Sequence, residues 1–250
     1  MIKNNILITG SAGFLGSIYA DHLSKANNVF AVDIDLKKLN ILKKKNREIN
    51  IFILDIVNEK KVKSFFHKLK RKNIFINVLI NNAAIDSVPA KGKNYIDINQ
   101  WNLEINVGLT GSFLMTKYFG EEMIKKRNGK IINIGSDLSV VAPNQDIYKK
   151  IYTNYTKPVT YSVVKHGLLG MTKYFASLYA DKNVNVNMLS PGPIFNNHSK
   201  KFIDQLIKFI PKKRMGNPED LISAVDFLID RKNSYMTGQN IIIDGGRTII

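Results

Sequence analysis

Tyr161 and Lys165 lie four residues apart in the run Tyr-Ser-Val-Val-Lys, so a helix would place both side chains on one face. A phenol with a pKa of about 10 is a poor base at neutral pH, but an adjacent ammonium stabilises the phenolate and lowers that pKa. The pair could therefore give or take a proton at a carbonyl or an alcohol. An ordinary surface pair on a helix is the alternative interpretation.

Ser136 is a second candidate catalytic residue. It follows the apolar run 131–134, which predicts a strand, and one glycine. Parallel sheets bind their ligands beyond the carboxyl ends of the strands. The hydroxyl could therefore hold a substrate oxygen whose charge grows in the transition state. Alternatively, Ser136 simply begins a turn.

The segment TGSAGFLG, residues 9–16, follows the apolar run 6–8 and predicts a turn that binds phosphate. Gly10 permits a tight turn, Gly13 lets backbone N–H groups approach a pyrophosphate, and Gly16 allows the next helix to pack closely on the sheet. Taken alone, the same pattern also fits an incidental connection between a strand and a helix.

An acidic residue ends the next predicted strand. Asp33 follows the run Val-Phe-Ala-Val, and its carboxylate could accept hydrogen bonds from both adenosine ribose hydroxyls while repelling a 2′-phosphate. NAD is therefore favoured over NADP, although Asp35 and Lys37 lie close by. Asp55, after the third strand, could border the adenine or cap the strand end. The run 81–84, Asn-Asn-Ala-Ala, could border the adenine and stabilise the sheet edge.

Strand-like runs alternate with amphipathic segments along the whole chain. The strand candidates are 6–9, 29–33, 51–54, 78–81, 130–134, 184–189 and 241–244, and the helix candidates are 14–26, 58–72, 99–127, 161–181 and 218–230. This alternation predicts an α/β fold, a Rossmann-type three-layer sandwich with a doubly wound parallel sheet of about seven strands. We expect one domain over 1–250, and the lysine-rich run 37–45 is interpreted as a solvated helix face.

Segment 142–160 fits this alternation least, because it is polar, aromatic and basic. It predicts a long loop or a small excursion over a site. Tyrosines and lysines at 148, 149, 150, 152, 155 and 157 would offer stacking surfaces and cations to a phosphorylated or acidic sugar. An inert surface loop is the alternative. A second segment, 193–214, is predicted to lie over the substrate.

The composition excludes several classes of site. The 250 residues contain no cysteine and four scattered histidines, so neither disulfides nor a metal site is expected. The N-terminal segment has neither the apolar stretch nor the cleavage site of a signal peptide, so we expect a soluble, cytoplasmic protein that does not enter a membrane. The net charge of +17 reflects dispersed lysines without a binding motif, so nucleic-acid binding is not expected.

These motifs occur together with NMLSPGPI (187–194), PKKRMGNPED (211–220) and TGQNIIIDGG (237–246). In this order they resemble the single-domain branch of the short-chain dehydrogenase/reductase family over essentially the whole chain. The resemblance implies hydride transfer between nicotinamide and a carbonyl carbon, and a dimer or tetramer with the C-terminal strand and tail at an interface. It makes Tyr161 the acid/base, Lys165 the residue that binds the nicotinamide ribose and tunes Tyr161, and Ser136 the residue that orients the carbonyl.

The resemblance also implies that Asn187 and the turn at Pro191 support the nicotinamide side of the cleft. The full set of predicted cofactor contacts is Gly10, Ser11, Gly13, Phe14, Leu15, Gly16, Asp33, Asp55, Ile56, Asn82, Ala83, Ala84, Tyr161, Lys165, Pro191, Gly192 and Ile194.

The chain departs from the family pattern at three places. The glycine spacing of TGSAGFLG is that of the extended branch, which contains sugar-nucleotide epimerases. Gly108 stands where many members carry a catalytic Asn, and Asn106, two positions away, would point to a different side of a regular helix. A water held by a helix backbone opened at Gly108 is one way to relay a proton. The interval between Ser136 and Tyr161 is also about twice the compact one, because it contains segment 142–160.

Within the family, VGLTGSFLMTKYFG, SDLSVVAP and KPVTYSVVKHGLLGMTKY resemble a subgroup of flagellin modification proteins in bacterial surface-sugar pathways. The leading hypothesis is therefore an NAD(H)-dependent oxidoreductase of a sugar or sugar phosphate. The alternatives are a 3-oxoacyl-(acyl-carrier-protein) reductase and a nucleotide-sensing module without catalysis. Epimerase chemistry is disfavoured, because the chain after residue 190 is too short for a separate sugar-nucleotide domain.

Overall fold

A seven-stranded parallel sheet forms the centre of the computed structural model, which describes residues 3–86, 95–149 and 156–250. The strands are β1 (Asn5–Thr9), β2 (Asn28–Asp33), β3 (Asn50–Ile53), β4 (Val78–Asn81), β5 (Gly129–Ile134), β6 (Val184–Pro191) and β7 (Asn240–Ile243). Their order in the sheet is β3-β2-β1-β4-β5-β6-β7. The predicted Rossmann-type fold is confirmed, and every predicted strand run overlaps an observed strand.

Helices connect the strands. They are α1 (Phe14–Ser24), α2 (Leu36–Lys45), α3 (Glu59–Arg71), α4 (Ile98–Ile105), α5 (Ser112–Lys126), α6 (Gln145–Lys149), α7 (Val159–Tyr179), α8 (Lys200–Leu206) and α9 (Ile222–Ile229). Asp35, Asn58 and Asp97 cap the starts of α2, α3 and α4 by accepting a hydrogen bond from the first turn. Within the described ranges, no helix is long and apolar enough to cross a bilayer.

Two hydrophobic clusters lie on opposite faces of the sheet. Ile6 and Ile8 of β1 pack in the cluster that includes α1 and α9, whereas Leu7 packs in the cluster that includes α3, α5 and α7. Successive side chains of a strand point to opposite faces, so β1 is buried on both sides. Helices therefore cover both faces, and the carboxyl edge of the sheet is left to form a site.

The structure departs from the predicted helices in the region 99–127, which was expected to be one continuous helix. A π-helical turn, Asn106–Gly111, separates α4 from α5. Such a turn interrupts the i→i+4 hydrogen bonds and is common near functional sites. The short helix α8 lies inside the predicted substrate segment 193–214, and α6 lies inside segment 142–160. Residues 150–155 of that segment are outside the described residues.

Candidate active site

A cavity of about 1680 Å³ opens at the carboxyl ends of the strands. It is lined by the three predicted catalytic residues, Ser136, Tyr161 and Lys165. The predicted cofactor residues that also line it are Gly10, Gly13, Phe14, Leu15, Asp33, Asp55, Ile56, Asn82, Ala83, Ala84, Pro191, Gly192 and Ile194. The topology thus brings together residues from most of the chain at one place.

The glycine turn is crowded at Gly10 and Gly16 and more open at Gly13, where a ligand phosphate would approach. Gly10 has a φ of +61°, and a Cβ there would lie 2.7 Å from the Cα of Ala83. A Cβ on Gly16 would lie 2.2 Å from the carbonyl oxygen of Gly10. At Gly13 the nearest atom is the same oxygen, at 3.2 Å, and this residue directly precedes α1, whose first turn has no side-chain cap. The N–H groups of the first turn therefore remain available to a pyrophosphate, and the site fits a dinucleotide.

Two residues predicted to contact the cofactor lie behind the turn instead. Ser11 is fully buried, and its backbone N–H and hydroxyl both donate to the carbonyl of Val32, at 3.2 and 3.1 Å. These two hydrogen bonds tie the turn to β2, and the side chain of Ser11 points away from the cavity. Gly16 is also buried and does not line the cavity. Its missing Cβ allows α1 to pack closely against the backbone of Gly10.

Asp33 is held in place at the end of β2. Its carboxylate accepts hydrogen bonds from the N–H of Ala12 at 3.0 Å and of Asp35 at 3.1 Å, one on each oxygen. Each carboxylate oxygen accepts two hydrogen bonds, so one position on each stays open to a ribose hydroxyl. Lys38, which also lines the cavity, pairs with Asp35 at 3.6 Å.

The residues after β3 and β4 have structural contacts as well as a place in the cavity wall. Asp55 accepts a hydrogen bond from the N–H of Val57 at 3.2 Å, as a strand-end cap would, and it also lines the cavity. The amide of Asn82 donates to the carbonyls of Thr9 and Gly10, at 3.1 and 3.0 Å. Asn82 therefore fixes the glycine turn to β4.

Tyr161 and Lys165 project from α7 toward the end of β5, as the spacing predicts. The Lys165 Nζ donates to the carbonyl of Ile134 at 2.9 Å and lies 5.6 Å from the centre of the Tyr161 ring. Ser136 hydrogen-bonds the Tyr161 phenol. The three groups thus form one connected set beside the cavity.

Burial controls the proton affinities of this set. It raises the pKa of Tyr161, and the hydrogen bond from Ser136, which lowers that pKa, does not compensate. The expectation that Lys165 brings the pKa of Tyr161 down in the free protein is therefore wrong, because the loss of hydration dominates. Burial also lowers the pKa of Lys165 to about 8, so its ammonium releases a proton more easily than in water.

Gly108 lies in the π-helical turn and faces α7. A Cβ at this position would lie 2.4 Å from the Cγ1 of Val164, the neighbour of Lys165. Asn106 is exposed and its side chain accepts a hydrogen bond from Thr110 at 3.3 Å, so it does not take the place of the missing amide. The valine fills the space that an asparagine side chain would need.

Segment 142–160 brings Lys157 to the active site. The Lys157 Nζ lies 4.1 Å from the centre of the Tyr161 ring and forms an ion pair with Asp86. The Gln145 side chain holds the backbone of Lys157 by two hydrogen bonds, at 2.9 and 3.2 Å. Tyr148 also lines the cavity, whereas Lys149 is exposed; residues 150, 152 and 155 lie outside the described part of the chain.

The sequence reasoning missed Asp86, Asp137 and Arg247. Asp137 follows Ser136 directly, accepts a hydrogen bond from its hydroxyl at 2.9 Å and forms a buried ion pair with Arg247. Its position next to Ser136 was a usable signal. No local pattern could have paired it with a residue 110 positions away.

Asn187 does not face the cleft, contrary to the expectation. Its amide donates to the carbonyl of Met236 at 2.9 Å and its carbonyl accepts from the N–H of Gln239 at 3.0 Å. It therefore ties β6 to the segment that leads into β7. Ile194 does line the cavity, and it forms an isolated β-bridge with Gly216.

An uncapped helix start after a glycine turn, a carboxylate at the end of β2 and a buried Ser-Tyr-Lys set are typical of a nicotinamide-dependent oxidoreductase. Residues 16–248 match the family model described as enoyl-(acyl carrier protein) reductase. The chain belongs to the short-chain dehydrogenase/reductase family, and it binds a nicotinamide cofactor as other members do.

Similar proteins include reductases and dehydrogenases. A 3-oxoacyl-(acyl-carrier-protein) reductase from Thermotoga maritima is 32% identical, over 97% of each chain. An NAD-dependent glycerol dehydrogenase from Listeria innocua is 31% identical, over 97% of this chain and 93% of the other. A short-chain dehydrogenase from Leptospira borgpetersenii, solved with bound NAD⁺, is 34% identical over 98% of this chain and 93% of that one, with a TM-score of 0.88.

Proposed function

We propose that the chain is a single-domain, cytoplasmic NAD(H)-dependent oxidoreductase that acts on a hydroxyl or keto group of a sugar or sugar phosphate. By the resemblance of its motifs, its pathway is the synthesis of a bacterial surface glycan such as the one on flagellin. The observation that carries the proposal is the convergence of Tyr161, Lys165 and Ser136 on the cavity that Asp33 also lines.

Each residue of the site has a role in this proposal. The N–H groups after Gly13 bind the pyrophosphate, Asp33 accepts from the adenosine ribose, and Lys165 binds the nicotinamide ribose. When bound, the cofactor supplies or accepts the hydride at the substrate carbon. Ser136 holds the reacting oxygen, and Tyr161 gives that oxygen a proton or removes one from it.

The described substrate half of the cavity supports a hydroxylated substrate. The ion pairs of Lys157 with Asp86 and of Arg247 with Asp137 both line it. Carboxylates accept hydrogen bonds from hydroxyl groups, and ammonium and guanidinium groups donate to their oxygens. Because Lys157 and Arg247 each have a carboxylate partner, their charges are balanced, and a neutral sugar could bind beside them as well as an acidic one. The similarity to a glycerol dehydrogenase also supports a hydroxylated substrate.

A 3-oxoacyl-(acyl-carrier-protein) reductase is the second candidate, and the names of the similar curated proteins favour it over a sugar enzyme. Leu138, Phe202, Leu206 and Met215 give part of the cavity an apolar wall that suits an acyl chain. This candidate predicts reduction of acetoacetyl-CoA with NADPH. Asp33, which would repel a 2′-phosphate, and the glycine at position 108 count against it.

Replacement of Tyr161 tests the enzyme proposal. With NAD⁺, a panel of sugars, sugar phosphates and nucleotide sugars is assayed beside acetoacetyl-CoA with NADH or NADPH. The Tyr161→Phe variant should lose activity about 10²- to 10⁴-fold, the typical contribution of a general acid or base. Its affinity for NADH, measured by fluorescence, should stay unchanged. Retained turnover would refute the role of Tyr161. A wild type that binds NADH and transfers no hydride would favour the nucleotide-sensing alternative.

The chain is also proposed to form a dimer or tetramer. Val163, Tyr174 and Leu178 are exposed along one side of α7, and Phe113 of α5 is exposed while it stacks on Phe175. A Cβ on Gly170, on the same side of α7, would meet no described atom within 4 Å. An apolar helix face with this much open surface is typical of an interface between subunits. Light scattering of the purified protein measures the oligomeric state.

A further inference from the structure

His198 is a polar residue of the cavity that the proposed reaction does not use. It belongs to segment 193–214 and lines the cavity together with Lys157 of segment 142–160. Its ring is partly buried and stacks on Phe202 of α8, with the ring centres 5.2 Å apart and the planes inclined by 18°. This stacking restricts rotation of the imidazole, so its two nitrogens keep defined directions.

One nitrogen of the His198 ring already has a partner. Nδ1 accepts a hydrogen bond from the N–H of Asn196 at 3.1 Å. Burial and the positive charge of Lys157 lower the pKa of His198, so the ring carries a single proton near neutral pH. Because Nδ1 accepts, that proton is on Nε2. Nε2 has no hydrogen-bond partner among the described residues, so it can donate to a ligand in the cavity.

Lys157 presents a cation in the same part of the cavity. Only 11% of its side chain is exposed, and its Nζ lies 4.1 Å from the centre of the Tyr161 ring. An ammonium has three N–H donors, and among the described residues only Asp86 accepts from it. The side chain of Asp86 is 51% exposed, so water and salt screen its charge. Lys157 therefore has donors left for a ligand beside Tyr161.

The described substrate half of the cavity carries an excess of positive charge. Its cations are Lys157, Lys165 and Arg247, and its carboxylates are Asp86 and Asp137. Burial lowers the pKa of Lys165 to about 8, which still leaves its ammonium mostly protonated at pH 7. A cleft with one predominant sign of charge and apolar walls concentrates ligands of the opposite sign. The cavity therefore favours an anion over a cation.

We propose that His198 and Lys157 form a binding site for an anionic group of the substrate, a phosphate or a carboxylate. The Nε2–H of His198 and the ammonium of Lys157 both donate to the oxygens of this group, and hydrogen bonds to a charged acceptor are the strong ones. The inference rests on the proposed function. It narrows the substrate class from sugars in general to sugars that carry a negative charge, and it assigns segments 142–160 and 193–214 to one binding site.

Two substitutions of His198 separate its donor from its shape. His198→Phe keeps a ring that can stack on Phe202 but removes the donor. His198→Gln loses the ring but carries an amide N–H₂ that can take the position of the Nε2–H, so it restores the donor. Lys200→Met is the matched control, because Lys200 is an exposed cation of the same segment that does not line the cavity.

Saturation-transfer NMR on the complex with saturating NADH measures the binding of glucose, glucose 6-phosphate and glucuronate. The bound NADH keeps the phosphate probe away from the glycine turn. We expect one of the two charged sugars to bind about tenfold more tightly than glucose. His198→Phe should weaken that binding about three- to tenfold, the range of one hydrogen bond, and Lys157→Met about two- to fivefold. His198→Gln and Lys200→Met should bind as the wild type does.

Tighter binding of glucose 6-phosphate identifies the anion as a phosphate, and tighter binding of glucuronate identifies it as a carboxylate. Equal affinity of the wild type for charged and neutral sugars, or unchanged affinity in His198→Phe, would overturn the inference. Binding by His198→Gln as weak as that by His198→Phe would also overturn it, because a neutral donor would then not suffice. The measurement needs no turnover, so the anion site is decided even if no sugar reacts and the proposed function fails.

Discussion

The two halves of the cavity are built differently. The cofactor half is centred on the glycine turn and Asp33, and the contact between them joins β1, α1 and β2 within about the first 33 residues, with Asn82 as an added support from the end of β4. The substrate half depends on ion pairs between residues 71 and 110 positions apart. The cofactor half therefore follows from a local pattern, whereas the substrate half depends on how the whole chain folds. Substitutions in the two halves should therefore differ in the property that they change and in the size of the effect.

The largest effect is expected in the cofactor half, at Gly16. A Cβ there would lie 2.2 Å from the carbonyl of Gly10, and backbone cannot move aside as a side chain can. Gly16→Ala should lower the free energy of unfolding by about 3 kcal/mol, the upper part of the range for overpacking. Gly13→Ala, with 3.2 Å to the same atom, should cost less than about 1 kcal/mol. Urea unfolding of both variants measures the difference, and equal losses would contradict it.

The next largest effect is expected at Gly108, which packs against Val164 of α7. Gly108→Asn should destabilise the protein by about 2 kcal/mol, because the new side chain overlaps Val164. Combination with Val164→Ala removes the overlapping methyl groups and should recover most of that loss. A thermal unfolding series of the two single variants and the double variant measures the coupling between the positions. Additive effects would show that the two side chains do not compete for one space.

Cofactor choice is expected to depend on Asp33. Asp33→Asn removes the negative charge that opposes a 2′-phosphate, so the preference for NADH over NADPH should fall about tenfold, or about 1.4 kcal/mol. Titration of intrinsic fluorescence with each cofactor gives the two dissociation constants. Asp35→Asn is the matched control, because Asp35 is also near the cavity but pairs with Lys38. An equal change in both variants would mean that Asp33 has no special part in the choice.

The smallest effect is expected in the substrate half, at Lys157. Lys157→Met keeps the length of the side chain but removes the charge near Tyr161. We expect the KM of the substrate to rise about two- to fivefold, as for a single partly exposed ion pair, without a change in NADH affinity. Lys149→Met, in the same segment but exposed, should leave both values unchanged. A larger effect at 149 than at 157 would show that segment 142–160 does not bring Lys157 to the substrate.

The sequence predicts the fold and the positions of most cavity residues, because strand ends, glycines and helix spacing are local properties. The predictions from sequence were wrong for residues whose contacts or pKa values depend on burial. Ser11 and Asn187 are polar residues in the right motifs, yet Ser11 bonds to β2 and Asn187 to the segment that leads into β7, and neither side chain lines the cavity. The pKa of Tyr161 rises because the phenol is buried, and burial is a property of the packed protein that no spacing of residues reveals. The π-helical turn does not interrupt the apolar pattern of 99–127 either, so that pattern predicts one continuous helix.

The close fit of Gly108 and Val164 also restricts the order in which this site can change. If Val164 becomes alanine first, the helix packing loses two methyl groups and position 108 is then free to vary. If asparagine appears at 108 first, its side chain meets the valine and the intermediate is less stable. A search that changes one residue at a time would therefore reach the double variant by only one of the two routes. Directed evolution of this enzyme should randomise both positions together.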